Sequence, residues 1–252
     1  ASHPDYDPNL YVQGNISPGE RARLDDPDLR PQINRATHGA YAPGSTFKPI
    51  VGLAALDAGL NPHAIYHVEP NPANPAKGCI ILGGNHKVKD QAPPGDYDFR
   101  RALIHSSNAY FITNGLRVGI EAIVRLGNRL HLGEVTGLPT RQEVKGSFPS
   151  LERVRNRWFD GNTANVCIGQ DPILVTPLQM AIMTAGIGNG GKVLWPRLVD
   201  RLQPQDPAFA NEVLVFPAGQ VRDELGVKPS SLKVVHDAML ADVEEAEGTG
   251  KR

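Results

Sequence analysis

Ser45-Thr46-Phe47-Lys48-Pro49-Ile50-Val51-Gly52-Leu53-Ala54-Ala55-Leu56-Asp57-Ala58-Gly59 is the stretch on which the reading of this chain turns. Between Ile50 and Leu56 the apolar residues fall on every side of a helical wheel instead of on one stripe. A short helix that is apolar all round must be buried, so this segment is predicted to be a central helix of a globular core. Gly59 supplies its C-terminal stop signal. A serine stands at the start of that helix and a lysine three positions later, and i and i+3 share a helical face.

That pair has a chemistry. A serine hydroxyl is a weak nucleophile until a base takes its proton. A lysine can serve as the base only when its pKa falls, which desolvation among apolar neighbours achieves. A helix N-terminus adds partial positive charge and free N–H groups near a developing oxyanion. Ser45 and Lys48 are therefore the candidate nucleophile and base. On these residues alone, a plain N-cap role for Ser45 stays open. Pro49 has no N–H, leaves the Ser45 carbonyl without its usual helical partner and biases Lys48 away from helical angles, so the first turn is expected to be distorted.

The Ser-x-x-Lys spacing occurs a second time, at Ser230-Ser231-Leu232-Lys233. There Leu232, Val235, Met239 and Val243 form a single stripe with Lys233 off it. That pattern describes a surface helix with a hydrated lysine, and Ser230 reads as a helix cap. A further polar trio, Ser106-Ser107-Asn108, interrupts an otherwise helical run from Arg101 to Leu116. Such residues compete for backbone hydrogen bonds inside helices, which points to a break there, directed at a cleft or opening a second helix. A hydroxyl beside the lysine could relay a proton to a leaving amine, and an amide could hold a peptide. Ser106 and Asn108 join the candidate site on that ground.

Outward from these motifs, residues 1–44 read mostly as ordered loop. Residues 60–97, rich in proline and glycine, read as a long loop with one short hairpin. Asp98 caps the helix that holds the polar trio, and another helix follows from Ile120 to His131. Residues 133–165 look irregular. Thr176-Pro177-Leu178-Gln179 combines an N-cap, a proline at the first helical position and a capping-box glutamine. The helix it opens ends at Gly188-Asn189-Gly190-Gly191. Lys192–Trp195, Leu198–Leu202 and Val213–Phe216 are strand-like, and Ser230/Ser231 open a last helix toward Glu245. The fold class expected is mixed α/β (α+β), with helices outnumbering strands and the strands late in the chain.

The 252 residues carry 26 Lys+Arg against 27 Asp+Glu, a net charge of −1. Nucleic-acid binding, which needs a basic excess or stripe, is not expected. An apolar fraction of 40% excludes intrinsic disorder. Two cysteines, Cys79 and Cys167, make no disulfide framework. The densest apolar stretch, Ile173 to Ile187, is interrupted by Thr176, Pro177 and Gln179, short of a membrane span. The chain opens without methionine at Ala1-Ser2-His3-Pro4 and stops after Gly248-Thr249-Gly250-Lys251-Arg252, so both ends are expected to be cuts in a longer protein.

The run from Asn34-Arg35-Ala36-Thr37-His38-Gly39-Ala40-Tyr41-Ala42-Pro43-Gly44 through Ser45-Thr46-Phe47-Lys48-Pro49 resembles, almost residue for residue, the active-site serine segment of the class B penicillin-binding proteins. The similarity is greatest to their elongation-type penicillin-binding protein 2 branch. Asp7-Pro8-Asn9, Ser106-Ser107-Asn108-Ala109-Tyr110-Phe111 and Ile168-Gly169-Gln170 with Thr176-Pro177-Leu178-Gln179-Met180-Ala181 resemble further signatures of the family, in family order. The resemblance implies a penicillin-binding-protein/serine β-lactamase-like transpeptidase fold, with residues 1–252 forming part of a transpeptidase domain. It also implies acyl transfer: Ser45, deprotonated by Lys48, attacks the penultimate D-alanine carbonyl of a peptidoglycan stem peptide, and an amine on a neighbouring strand resolves the acyl-enzyme. Ser106 and Asn108 take the family's proton-transfer and substrate-holding places, and β-lactams acylate the same serine. Implied partners are stem peptides, β-lactams, a membrane glycosyltransferase and other elongation-complex proteins. The implied location is the bacterial inner membrane, facing the periplasm, with no cofactor.

Two departures from the family pattern stand out. The third motif, Lys-Ser/Thr-Gly on a strand edging the cleft, is absent, since no lysine precedes Thr249-Gly250. Half the oxyanion hole and the substrate-carboxylate site are expected to be missing with it, leaving the chain impaired as it stands. Asp171 occupies a place where the family has glycine. Some relatives carry an Asp/Asp/His/Cys metal cluster between the first two motifs. Here Cys79, His86, Asp90 and Asp96 lie in that region without matching its pattern, Ser107 holds the cysteine place, and no metal is assigned. His63 and His67 have zincin spacing, but Ala64 replaces the general-base glutamate and prolines flank the pair. No G-x-S-x-G elbow and no phosphate loop is present. The alternatives to a transpeptidase are a serine D,D-carboxypeptidase or β-lactamase, and a non-catalytic penicillin sensor or scaffold module.

Overall fold

The structure is a computed structural model and describes residues 2–12, 14–83, 86–139, 142–206, 208 and 211–250. Three short helices precede the serine: α1 (Asn9–Val12), α2 (Pro18–Leu24) and α3 (Arg35–His38). A 3-10 turn, Gly44–Phe47, leads into α4 (Lys48–Asp57). Four strands follow: β1 (Tyr66–Asn71), β2 (Asn74–Leu82), β3 (His86–Lys89) and β4 (Gly95–Tyr97). Then come α5 (Phe99–Ile104), α6 (Asn108–Val118), α7 (Ile120–Arg129), α8 (Leu151–Asn156), α9 (Asp160–Cys167) and α10 (Pro177–Gly188). Short strands β5 (Lys192–Leu194), β6 (Arg201–Leu202), β7 (Leu214–Val215) and β8 (Val221–Glu224) precede the last helix, α11 (Pro229–Glu244).

The mixed α/β class is as expected, and α4 is its centre. Every residue from Lys48 to Leu56 is buried. Helices α5, α6, α7 and α11 pack around it, and α9 packs on α6. Gly52 lets the α4 backbone approach the ring of Phe99, which a Cβ would meet at 2.6 Å. The aromatic layer continues through Phe111 and Tyr110, edge to face with Phe99 at centroid separations of 6.1 and 6.4 Å.

Residues 1–44 are mostly loop, as expected, with three short helices, two of them capped locally: Ser17 and Glu20 form a capping box with Pro18 at the first turn, and Asn34 accepts from Ala36 N–H. Several other expectations are overturned. Residues 60–97 are an antiparallel sheet, order β3-β2-β1-β4, so the largest sheet lies in the middle of the chain. Its strands show no alternating pattern because little of them is covered. Only Val68 and Asn71 of β1 are buried, and the register shifts at Pro70/Asn71. Residues 133–165 contain α8, capped by the Ser150 side chain, and α9. Leu198–Leu202 and Val213–Phe216 contract to the two-residue strands β6 and β7, and β8 pairs with β5. The helix expected to reach His131 ends at Arg129. Ser230 is not the cap of α11, whose N-cap is Lys228 without a side-chain bond.

The Ser45 turn is tied to the rest of the fold by glycine. Helix α9 ends in a Schellman cap: Gly169 N–H donates to Val166 O, Gln170 N–H donates to Asn165 O, and Gly169 takes φ +65°. Gly44 N–H then donates to Gly169 O at 2.8 Å, and Tyr41 and Val175 exchange backbone hydrogen bonds alongside. A Cβ on Gly169 would strike the Gly44 backbone, with its nitrogen at 2.7 Å.

Two stability outcomes follow. Leu53→Ala, at a fully buried site, is expected to cost about 2–5 kcal/mol in chemical denaturation, by lost burial plus cavity. Gly169→Ala adds a left-handed alanine to a clash with backbone, and about 2 kcal/mol or more is expected, read by the same melt.

Candidate active site

Lys48 is the least ordinary side chain in the core. It is 1% exposed, and a buried ammonium must find acceptors for three N–H donors. It finds three. Lys48 Nζ donates to Asn108 Oδ1 at 2.8 Å, to Ser106 Oγ at 3.0 Å and to the Ser106 carbonyl oxygen. The Phe111 ring lies 5.8 Å away. Burial pulls the lysine pKa down to about 8, and the carboxylate of Asp90 works in the opposite direction.

The acceptors are brought there by the elbow between α5 and α6. Asp98 caps α5 by accepting from Arg101 N–H at 2.8 Å. The helix then closes on a second Schellman cap, with Ser106 N–H to Leu103 O and Ser107 N–H to Ala102 O. The position that glycine usually fills is Ser106, at φ +53°. A non-glycine residue there costs about 1 kcal/mol or more. In return, the Ser106 carbonyl and hydroxyl both reach the lysine. Ser107 opens α6 as its N-cap, accepting from Tyr110 N–H at 3.2 Å. The polar trio is thus both a break and a helix start.

Ser45 lies on the 3-10 turn with its residue exposed. Its carbonyl, deprived of an N–H at Pro49, accepts instead from Lys48 N–H, and Lys48 keeps helical angles at φ −55°, ψ −35°. The distortion expected from Pro49 is therefore a tightened first turn. Ser45, Lys48 and Ser106 line one cavity of about 390 Å³, with Met183 of α10, Asp242 of α11 and Thr249 opposite. Among the described residues Lys48 makes no hydrogen bond to Ser45; its three donors are spent on Ser106 and Asn108. Larger hollows exist, of 520 Å³ beside Asp57 and Arg129, 410 Å³ beside Arg100 and His105 and 560 Å³ beside Trp195 and Phe216. None of these brings a hydroxyl or thiol to a desolvated amine.

The second Ser-x-x-Lys pair differs in kind. The Lys233 side chain is 75% exposed and pairs with Asp237 at 2.7 Å, so nothing desolvates it. Residues considered for a metal scatter. Cys79 is buried and donates to Pro70 O, Asp96 bonds His67 Nδ1 on the exposed sheet, and Asp90 lies under Ser107. Among the described residues no group of three His, Cys, Asp or Glu side chains comes together as a ligand set. The His86 side chain, Lys251 and Arg252 lie outside the described residues. Asp171 is exposed at the turn after Gln170, and nothing around it accounts for its replacing glycine.

Two contributors escaped the reading of the sequence as site residues. Gly169 supports the Ser45 turn from below. Asp90, weighed only as a metal candidate, lies at the N-terminus of α6. Its carboxylate has no motif around it, and only the pairing of the central sheet brings it to the elbow.

The model of the penicillin binding protein transpeptidase domain matches residues 1–252. Peptidoglycan D,D-transpeptidase MrdA of Haemophilus influenzae is 31% identical over 100% of this chain and 38% of its own length. The MrdA of Acinetobacter baumannii is 29% identical over 100% of this chain and 36% of its own. The chain thus spans under two fifths of these relatives. Among solved structures, PBP2 of Pseudomonas aeruginosa in complex with WCK 5153 superposes with a TM-score of 0.78 at 31% identity, covering 100% of this chain and 55% of that one. The imipenem acyl-enzyme complex of penicillin-binding protein A from M. tuberculosis gives 0.77 at 27% identity, covering 99% and 55%. With a matching family model over its whole length and the same fold in these solved structures, the chain belongs to the penicillin-binding protein transpeptidase family.

Proposed function

We propose that this chain carries the acyl-transfer centre of a peptidoglycan D,D-transpeptidase, with Ser45 as nucleophile, Lys48 as its base, Ser106 as proton relay and Asn108 as a substrate-holding amide. The observation that carries this reading is the buried amine: a lysine 1% exposed, held by Ser106 and Asn108, in one cavity with an exposed serine hydroxyl.

As an ammonium, Lys48 uses all three donors. On losing a proton it keeps two donors and gains a lone pair, which becomes available to the Ser45 hydroxyl. Ser45 Oγ then bonds to the penultimate D-alanine carbonyl carbon as its proton passes to Lys48 Nζ. The carbonyl π electrons move to oxygen, near the N-terminus of the turn that begins α4. Collapse of that intermediate breaks the C–N bond. The proton returns from Lys48 through Ser106 Oγ to the departing D-alanine amine. An acceptor amine attacks the ester, gives up its proton by the reverse path and restores Ser45. Every proton and electron pair comes from the chain and its two peptide substrates. A β-lactam enters the same path, but its leaving nitrogen stays tethered to the acyl group. The named acyl-enzyme complex of the M. tuberculosis relative supports that extension.

This reading carries stem peptides and β-lactams as ligands, a glycosyltransferase and elongation-complex proteins as partners, and the periplasmic side of a bacterial inner membrane as location. Among the described residues no helix is long and apolar enough to cross a membrane.

Labelling of the complete gene product by a fluorescent penicillin tests it. Ser45→Ala is expected to abolish labelling and Ser230→Ala to leave it unchanged; a labelled Ser45→Ala protein, or loss only in Ser230→Ala, sinks the assignment. Labelling without D-alanine release from a donor peptide points to a sensor module, and rapid hydrolysis of the acyl-enzyme to a carboxypeptidase or β-lactamase. The pH profile tests the base. Only the neutral amine accepts a proton, so acylation rises with pH and reaches half its plateau at about 8. A rate flat through that region removes Lys48 from the role.

A further inference from the structure

Asp90 follows β3 and is 2% exposed. Four donors converge on its carboxylate. Ser107 Oγ donates to Oδ2 at 2.6 Å, Ala109 N–H to Oδ2 at 2.8 Å, Asn108 N–H to Oδ1 at 2.8 Å and Ala92 N–H to Oδ1 at 3.0 Å. Two of these are the first backbone N–H groups of α6, which lack partners within the helix and sit at its positive end. The neighbouring residue completes the clamp. Lys89 O accepts from Asn108 Nδ2 at 3.0 Å, which turns Asn108 Oδ1 toward Lys48. The end of β3 thus grips the backbone and side chain of the segment that holds the lysine, without touching the lysine.

We propose that Asp90 is a positioning residue: its carboxylate locks the Ser106–Asn108 elbow so that all three acceptors face Lys48 Nζ. The inference rests on the transpeptidase reading of this cavity and adds to it a group that meets neither substrate nor nucleophile. Charge-assisted bonds to a carboxylate are short and strong, and a buried N–H left without one is costly. The elbow needs such a hold, because Ser106 is kept at a backbone angle that favours glycine.

The same carboxylate acts on Lys48 through space. It is the charge that raises the lysine pKa against the downward pull of burial. The other carboxylate facing the cavity, Asp242 on α11, is occupied by Thr249 N–H, Thr249 Oγ and Gly250 N–H. The faces presented by Leu103, Met183 and Thr184 are uncharged. Replacing Asp90 by an isosteric neutral group therefore has a signature in pH as well as in rate. Lys48 becomes neutral at lower pH, so the acid limb of acylation moves to lower pH while the plateau falls.

The test uses the complete gene product, with acylation by a fluorescent penicillin followed across pH. Ser45→Ala serves as the control for the underlying reading: if it still labels, that reading fails whatever Asp90 does. With Ser45→Ala silent, Asp90→Asn is expected to acylate about 10- to 100-fold more slowly, the usual effect of losing an orienting outer partner. Its acid limb is expected at lower pH than in the wild type. Acylation indistinguishable from wild type, or a slower rate with the limb unmoved, overturns the proposal. If Asp90→Asn shows no cooperative melt, Ser107→Ala decides. It deletes one of the four bonds, together with the cap on Tyr110 N–H, and keeps the charge, so about a tenfold slower acylation with an unmoved limb is expected. An unchanged rate in that variant overturns the proposal as well.

Discussion

The structure is organised around one buried charge. Moving an ammonium out of water costs several kcal/mol even after the surroundings relax, unless its donors are met. Lys48 meets that demand with one carbonyl, one hydroxyl and one amide oxygen, and with no carboxylate in contact. The choice matters chemically. A direct ion pair would favour the charged form and hold the proton on. Neutral acceptors satisfy the donors while burial favours the neutral form, and the result is a lysine pulled down to about 8. Asp90, one layer back, tempers the pull. The amine is therefore both housed and able to lose its proton.

Housing it shapes the elements around it. Helix α4 can bury a lysine at its first turn because the seven residues after Pro49 are all apolar or glycine, so no competing polar side chain enters the same layer. Helices α5 and α6 cannot be one helix, because a continuous backbone would leave no free carbonyl to aim at Nζ. The break is made by a Schellman cap whose left-handed position is Ser106 instead of glycine. A cap of the same type at the end of α9 does use glycine, at Gly169. The contrast has a reason. At Gly169 the Gly44 backbone lies where a Cβ would go, whereas at Ser106 the side chain itself is wanted.

The parts of this arrangement that were legible in the sequence were local or strongly patterned. The all-apolar run after Lys48, the capping box at Thr176 and the interrupted helix at Ser106–Asn108 each rest on contacts within a few residues. The missed parts depend on pairings between distant segments. The sheet β1–β4 carries prolines in two strands and buries little of β1, so periodicity and turn chemistry mark no more than one hairpin of it, and its existence is decided by register with partners as distant as Tyr66 and Tyr97. Asp90 was invisible for the same reason: its meaning arises only when β3 lies beside the start of α6. The Lys233 pair shows the converse. Its spacing equals that of Ser45 and Lys48, and the stripe around it correctly indicated an exposed lysine.

The Ser45 hydroxyl and the Lys48 amine are thus held by different parts of the chain. The Ser45 turn hangs on Gly44–Gly169 and on the Tyr41–Val175 bridge, both part of the segment after α9. The Lys48 head hangs on the elbow, and through Lys89 and Asp90 on the central sheet. Only Thr46 and Phe47 lie between them, in a tight 3-10 turn continued by a helix buried from Lys48 to Leu56. The hydroxyl and the amine therefore have separate anchors at the two ends of a short joint. Changes in the sheet therefore act on the proton affinity and aim of the amine, and changes in the segment after α9 act on the placing of the hydroxyl. On the acyl-transfer reading, separate anchors let the amine stay poised while the hydroxyl meets different acyl donors.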